Sequence, residues 1–241
     1  MLPQRLAFID LETTGANPKL DRITEIGIVL VDGDDVSTWS TLVNPECPIP
    51  AFIQQLTGIG NDMVADAPRF AQLAAELAER LEGYLFIAHN ARFDYGFIKN
   101  EYLRLGQRFR ADVLCTVRLS RKLFPQHPRH NLDSLIERHG LRNDARHRAL
   151  ADADLIWQFW RKALVETDDG RLAEAVREQL QRPSLPPHLD AAVLDDLPES
   201  PGAYLFYGDN DVPLYVGKSI NLRKRVLSHF TADTRESKAM Q

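Results

Sequence analysis

The run Leu6-Ala7-Phe8-Ile9-Asp10-Leu11-Glu12-Thr13-Thr14-Gly15 decides how this chain is read. Residues 6–11 are an apolar stretch of strand length that ends in Thr-Thr-Gly turn chemistry. Side chains two apart on a strand share a face, so Asp10 and Glu12 converge at its C-terminal end. Two carboxylates there either open a turn or build a site. A second cluster favours the site. His89-Asn90-Ala91-Arg92-Phe93-Asp94 follows the apolar run Leu85-Phe86-Ile87-Ala88 in the same way, at the sheet edge where α/β folds gather their ligands. Taken alone, Asp94 is also a candidate helix N-cap. A third cluster lies in the helical pattern of residues 149–165, where Leu150, Ala153, Trp157, Trp160 and Leu164 form one apolar stripe. Asp152 falls on a second face with Leu155, Ile156 and Phe159, and a carboxylate in apolar surroundings needs a cation.

Working outward, Ile23–Val31 and Val36–Leu42 read as strands joined by Asp32-Gly33-Asp34-Asp35 hairpin chemistry. The spacing Phe70, Leu73, Leu77, Leu81 predicts a helix, residues 85–88 a buried strand, and 97–105 another helix. A short strand at 113–116 precedes helices near 117–123, 132–139 and 149–165. A strand meander followed by alternating helices and strands is an α/β architecture, a mixed sheet flanked by helices. Residues 166–200 are acidic, and Pro183, Pro186, Pro187, Pro198 and Pro201 follow a helix-like stretch at 171–181. Such a proline-rich run is a stiff connection. The expected organisation is therefore a domain at 1–166, a helix and acidic linker at 167–200, and a small segment at 201–241.

With 241 residues, 44% of them hydrophobic and 26% charged, the chain is neither disordered nor fibrous. It has two cysteines, Cys47 and Cys115, too few for a disulfide framework. No apolar run is long enough to span a bilayer, and a soluble, cytoplasmic protein with no membrane partner is expected. A net charge of -5 argues against bulk attraction to nucleic acid. It does not argue against an acidic site whose metal ions reverse the local sign.

Phe8–Gly15, His89–Asp94 and His147-Arg148-Ala149-Leu150-Ala151-Asp152 resemble, in order, the three exonuclease motifs of the DEDDh branch of the DEDD superfamily. That branch includes the proofreading epsilon subunit of bacterial DNA polymerase III. Leu56-Thr57-Gly58-Ile59 and Asp66-Ala67-Pro68 extend the likeness. The resemblance implies a ribonuclease-H-like fold and a 3′-5′ exonuclease that releases nucleoside monophosphates from DNA with a free 3′ end. It implies a role in proofreading or repair, beside a DNA polymerase or repair complex. Two ions, Mg²⁺ or Mn²⁺, would be held by Asp10, Glu12, Asp94 and Asp152, with His147 as general base. Five helical positions rotate by about 140°, so His147 and Asp152 can face one metal pair only if His147 precedes the regular helix. Thr14, Thr57, Asn90 and Phe93 would meet the terminal nucleotide, Phe93 by stacking on its base. An exoribonuclease shares these motifs, and a non-catalytic DNA-binding module is the alternative of another class. The intact set Asp10, Glu12, Asp94, His147 and Asp152 disfavours the latter.

Beyond the prolines, Pro201-Gly202-Ala203-Tyr204-Leu205-Phe206 and Leu214-Tyr215-Val216-Gly217-Lys218 read as a hairpin around Gly208-Asp209-Asn210. The basic stretch Asn221–Phe230 after it is helix-like. This segment resembles the start of a small α/β GIY-YIG nuclease domain of the UvrC type. Tyr204, Tyr215, Gly217 and Arg225 match its motif residues, while the metal-binding glutamate of that family would lie past Gln241. The resemblance implies an incomplete GIY-YIG site, a truncated exonuclease–endonuclease fusion, and no incision activity.

Overall fold

The computed structural model describes residues 2–142, 146–180, 194, 197–198, 200–208 and 212–231. They fall into two compact units, Met1–Leu180 and Gln181–Gln241. The first opens with strands β1 (Arg5–Thr13), β2 (Ile23–Asp32) and β3 (Asp35–Leu42). Two short helices follow, α1 (Ala51–Thr57) and α2 (Asn61–Val64), then α3 (Phe70–Leu81), β4 (Leu85–Ala88) and α4 (Arg92–Arg104). The unit closes with β5 (Val113–Cys115), α5 (Thr116–Leu123), α6 (Leu132–His139), α7 (Ala149–Glu166) and α8 (Asp169–Leu180). The five strands form one sheet in the order β3-β2-β1-β4-β5. β1, β2 and β3 pair antiparallel, and β4 and β5 continue parallel to β1. This is the mixed, helix-flanked sheet that the alternation of patterns predicts.

Strand β1 lies at the centre and serves two cores, as its period of two requires. Leu6 and Phe8 pack with α5, α6, α7 and α8, while Ala7, Ile9 and Leu11 pack with α3 and α4. Phe8 meets Trp160 of α7 edge-on at 6.1 Å between ring centroids. Each large side chain so buried contributes about 2 kcal/mol. Asp10 and Glu12 continue the Leu6-Phe8 row past the end of the packed core, so the alternation that buries Phe8 aims both carboxylates at the start of α7.

Three features depart from the sequence reading. Helices α1 and α2 have no clean apolar period: α1 buries Ile53 and Thr57 but exposes Phe52 and Leu56. Helix α4 begins at Arg92, several residues ahead of its apolar spacing, and Asp94 sits in its first turn while Ala91 occupies the cap. Helix α8, expected in the connection, buries Leu172, Ala175 and Val176 in the core beside Phe159. Its two remaining faces are polar, which disguises it.

In the second unit β6 (Gly202–Tyr207) and β7 (Pro213–Ser219) form an antiparallel pair, followed by α9 (Leu222–Thr231). Leu194, Tyr204 and Val226 are its buried centre. Gly217 is dictated by close approach, because a Cβ there would stand 2.3 Å from the Tyr204 ring. The expected turn residues Asp209 and Asn210, and Pro183, Pro186 and Pro187, lie outside the described residues. Among the described residues, no helix is long and apolar enough to cross a membrane.

Candidate active site

Four segments meet at the C-terminal end of β1. Asp10 and Glu12 come from the strand itself, and the β1–β2 register shifts just beyond them, between Glu12 and Thr13. Asp94 enters from the first turn of α4 and Asp152 from the first turn of α7, both buried. His147 lies in the turn ahead of α7, with φ of 62°. Carboxylate oxygens of Glu12 and Asp152 and a ring nitrogen of His147 all lie within 4.8 Å of one another.

The charges repel. Burial, then the fields of Asp94, Asp152 and Glu12, raises the proton affinity of Asp10 well above the ordinary carboxylate range. Burial pushes Asp94 up to about 8, although backbone amides of Asp94 and Leu11 pull it partly back. Glu12 is pushed up to about 7, by burial first and by Asp152 and Glu25 next. One oxygen of Asp152 accepts from the Arg146 guanidinium, while its other oxygen, Oδ1, is buried with no partner among the described residues. An orphaned buried carboxylate oxygen beside three carboxyls that resist ionisation is a donor set suited to hard divalent cations. The residues present therefore fit the metal ions that the motifs imply.

The placement of α7 depends on two residues of β2 that the motifs do not mark. Glu25, 4% exposed, accepts the Ala149 amide at 3.0 Å and pairs with the Arg148 guanidinium, which donates from Nη2 at 2.6 Å. A carboxylate from a neighbouring strand thus caps the helix N-terminus, where a negative charge is favoured. Gly27 stands opposite Asp10, and a Cβ there would fall 2.2 Å from the backbone of Ala149 and Leu150. Only glycine admits the helix this close. In the sequence, the signal for Glu25 is an acidic residue inside the apolar part of the strand, between Ile23 and Ile26.

A cleft of about 490 Å³ opens over Asp10, Glu12 and Asp152. Phe93 and Thr57 line it along with His89, Phe52 and Leu56, whereas Thr14 and Asn90 are not among its lining residues. Phe93 is half-buried, its ring 4.8 Å from that of Phe97. The hydroxyls expected at the nucleotide have backbone roles. Thr57 donates to the Ile53 carbonyl and accepts from the Ile59 amide, and Thr14 accepts from the Arg22 amide. Asn90 is exposed, with φ of 69° in the turn before α4. His89 sets its Nδ1 3.0 Å from the Thr116 hydroxyl, and burial pushes its imidazole down to about 4.

In the second unit, Tyr204 and Tyr215 stack at 5.9 Å. The Tyr204 hydroxyl lies 2.7 Å from His229 Nε2, and Arg225 donates to the Tyr215 hydroxyl at 3.4 Å. Arg225, then Tyr204, lowers the proton affinity of Tyr215. His229 completes this cluster and was not singled out by the motif. Its position one helical turn past Arg225 is the signal that finds it.

Residues 7–158 match the family model described as Exonuclease, and residues 200–241 match that of the UvrC-like GIY-YIG domain. The chain is 43% identical over 158 residues to the 3′-5′ exonuclease DinG of Bacillus subtilis, covering 64% of this chain and 17% of that one. It is 39% identical over 164 residues to a PolC-type DNA polymerase III of Caldanaerobacter subterraneus, covering 68% and 12%. A protein of Mycobacterium tuberculosis with the provisional name bifunctional exonuclease/endonuclease is 34% identical over 244 residues, covering 95% and 38%. The chain thus spans well under half the length of each of these relatives. Among solved structures, exonuclease X in complex with 5′ overhanging duplex DNA shares the fold with a TM-score of 0.57 and 24% identity, covering 71% of this chain and 99% of that one. The nuclease domain of 3′hExo, a DEDDh family member bound to rAMP, does so with a TM-score of 0.58 and 22% identity, covering 68% and 92%. With more than half of its residues matched, at the segments that build the carboxylate cluster, the chain belongs to the Exonuclease family.

Proposed function

We propose that the first unit is a divalent-metal-dependent 3′-5′ exonuclease that removes nucleoside monophosphates from DNA ends. The observation that carries this reading is the convergence of Asp10, Glu12, Asp94 and Asp152, with an unpaired oxygen on Asp152 and proton affinities raised at the other three. Mg²⁺ or Mn²⁺, two ions held by these carboxylates, would supply an activated water and stabilise the charge that builds on the phosphate and the leaving 3′ oxygen. His147, within reach of Glu12 and Asp152 and ahead of the rigid helix, accepts the proton of the attacking water. Phe93 offers its half-buried ring to the terminal base at the cleft wall. Glu25 and Gly27 hold the first turn of α7 against the sheet, and so keep Asp152 and His147 in register with β1.

DNA is favoured as substrate because the sequence relatives include a DNA polymerase III of PolC type. That likeness also supports work beside a polymerase or repair complex, in the cytoplasm. The test is degradation of matched, 5′-labelled DNA and RNA oligonucleotides with Mn²⁺. The expected result is a ladder of shortened DNA, absent in EDTA and absent on circular single strands. Preferential shortening of RNA would make this an exoribonuclease. His147→Ala should bind Mn²⁺ as the wild type does and lose turnover by about two orders of magnitude or more. Near-normal turnover would remove His147 from the proton-accepting role.

A further inference from the structure

Among the residues lining the cleft is one cation that the exonuclease motifs do not include. Arg146 is mostly buried, with 20% of its side chain exposed, and it joins two carboxylates. Its Nε donates to Asp133 Oδ1 at 3.0 Å, and its Nη1 donates to Asp152 Oδ2. Its field also opposes the raised proton affinities of Asp10 and Glu12, so it acts on three members of the cluster. The neighbouring Arg148 is bound to Glu25 and reaches the cluster only through its field on Glu12. Arg146 is therefore the cation that sits directly on one of the carboxylates that a metal would take.

We propose that Arg146 is an exchangeable counter-cation: it neutralises Asp152 while metal is absent, and is transferred to the substrate phosphate when metal takes Asp152. The inference rests on the proposed metal-dependent reading. Its physical basis is that one carboxylate cannot serve both charges fully. A divalent ion that draws Asp152 leaves the guanidinium partly buried and short of a partner, which is costly. The unused donors of its planar fork then face the cleft where a phosphodiester enters, and a guanidinium fits two phosphate oxygens. Asp133, whose side chain is 70% exposed, holds the Nε edge and keeps the group in place during the exchange.

The exchange predicts two effects of opposite sign in a single variant. Arg146→Met keeps the aliphatic length and removes the charge. In calorimetric titration without substrate it should bind Mn²⁺ about three- to tenfold more tightly than the wild type, because a competing cation is gone. With Mn²⁺ saturating, it should bind a nucleoside monophosphate, dTMP, about tenfold more weakly. Arg146→Lys should recover part of the dTMP affinity, and Arg146→Gln provides the same comparison should the Met variant fold poorly. Unchanged or weaker Mn²⁺ binding in the neutral variants overturns the counter-cation role. Unchanged dTMP affinity overturns the transfer to phosphate. Wild-type protein that binds no Mn²⁺ overturns the metal-dependent reading and this inference together, whereas wild-type binding with no change in the variants overturns this inference alone.

Discussion

At the scale of single residues, the carboxylate cluster makes a testable trade between stability and function. Asp94 is 3% exposed among like charges, so Asp94→Asn should lower turnover by orders of magnitude while raising the melting temperature in EDTA. A large loss of stability would instead make Asp94 a structural residue. The same crowding sets a pH dependence. Glu12 and Asp94 are held at about 7 and about 8 in the folded chain, above their unfolded values near 4. The folded state therefore binds more protons, and their contribution to stability is complete below about pH 4 and lost as pH rises through 7 to 8. In EDTA, melting temperature should fall between about pH 5 and pH 8.5, and Mn²⁺ should restore most of it at the upper end. A flat profile in EDTA would contradict the shifts. Asp10 and Glu12 were legible in the sequence because a strand's period of two fixes their face. Glu25 and His229 were not, because each acts through a partner distant in the chain, and Arg146 was not, because its pairing with Asp152 depends on the path of the turn ahead of α7.

At the scale of elements, α7 is the part whose placement decides the site, and its closest contact with the sheet is at Gly27. Gly27→Ala must push the first turn of α7 off β2, since the added methyl meets backbone rather than a mobile side chain. Overpacking of this kind costs about 1–3 kcal/mol. The expected outcome is a protein that still folds, with a lower melting temperature and turnover reduced far more than dTMP affinity. Equal activity would show that α7 can shift without disturbing Asp152. Elements with a strong apolar period, α3, α6 and α7 among them, were readable in advance. Helix α1 was hidden because Phe52 and Leu56 face the cleft instead of a core, so its pattern follows the site. The first turn of α4 was hidden for a similar reason, since it buries a charge where periodicity looks for a hydrophobe.

At the scale of the whole molecule, the first compact unit runs to residue 180, with α8 in the core next to Phe159. A chain ending at 166 should melt well below one ending at 180, having uncovered Leu119, Leu123 and Phe159, while the longer form should keep the exonuclease turnover of the full chain within a few fold. Equal melting temperatures would return α8 to the connection. The contact between Glu25 and the Ala149 amide also has a consequence in time. During synthesis the strands that carry Asp10, Glu12 and Glu25 emerge first, and the helix that carries Asp152 arrives more than a hundred residues later. Until that helix docks, the early carboxylates lack their fourth member and the proton acceptor that precedes it. On the proposed reading, a nascent chain is thus chemically silent, and its nuclease chemistry waits on the docking of α7.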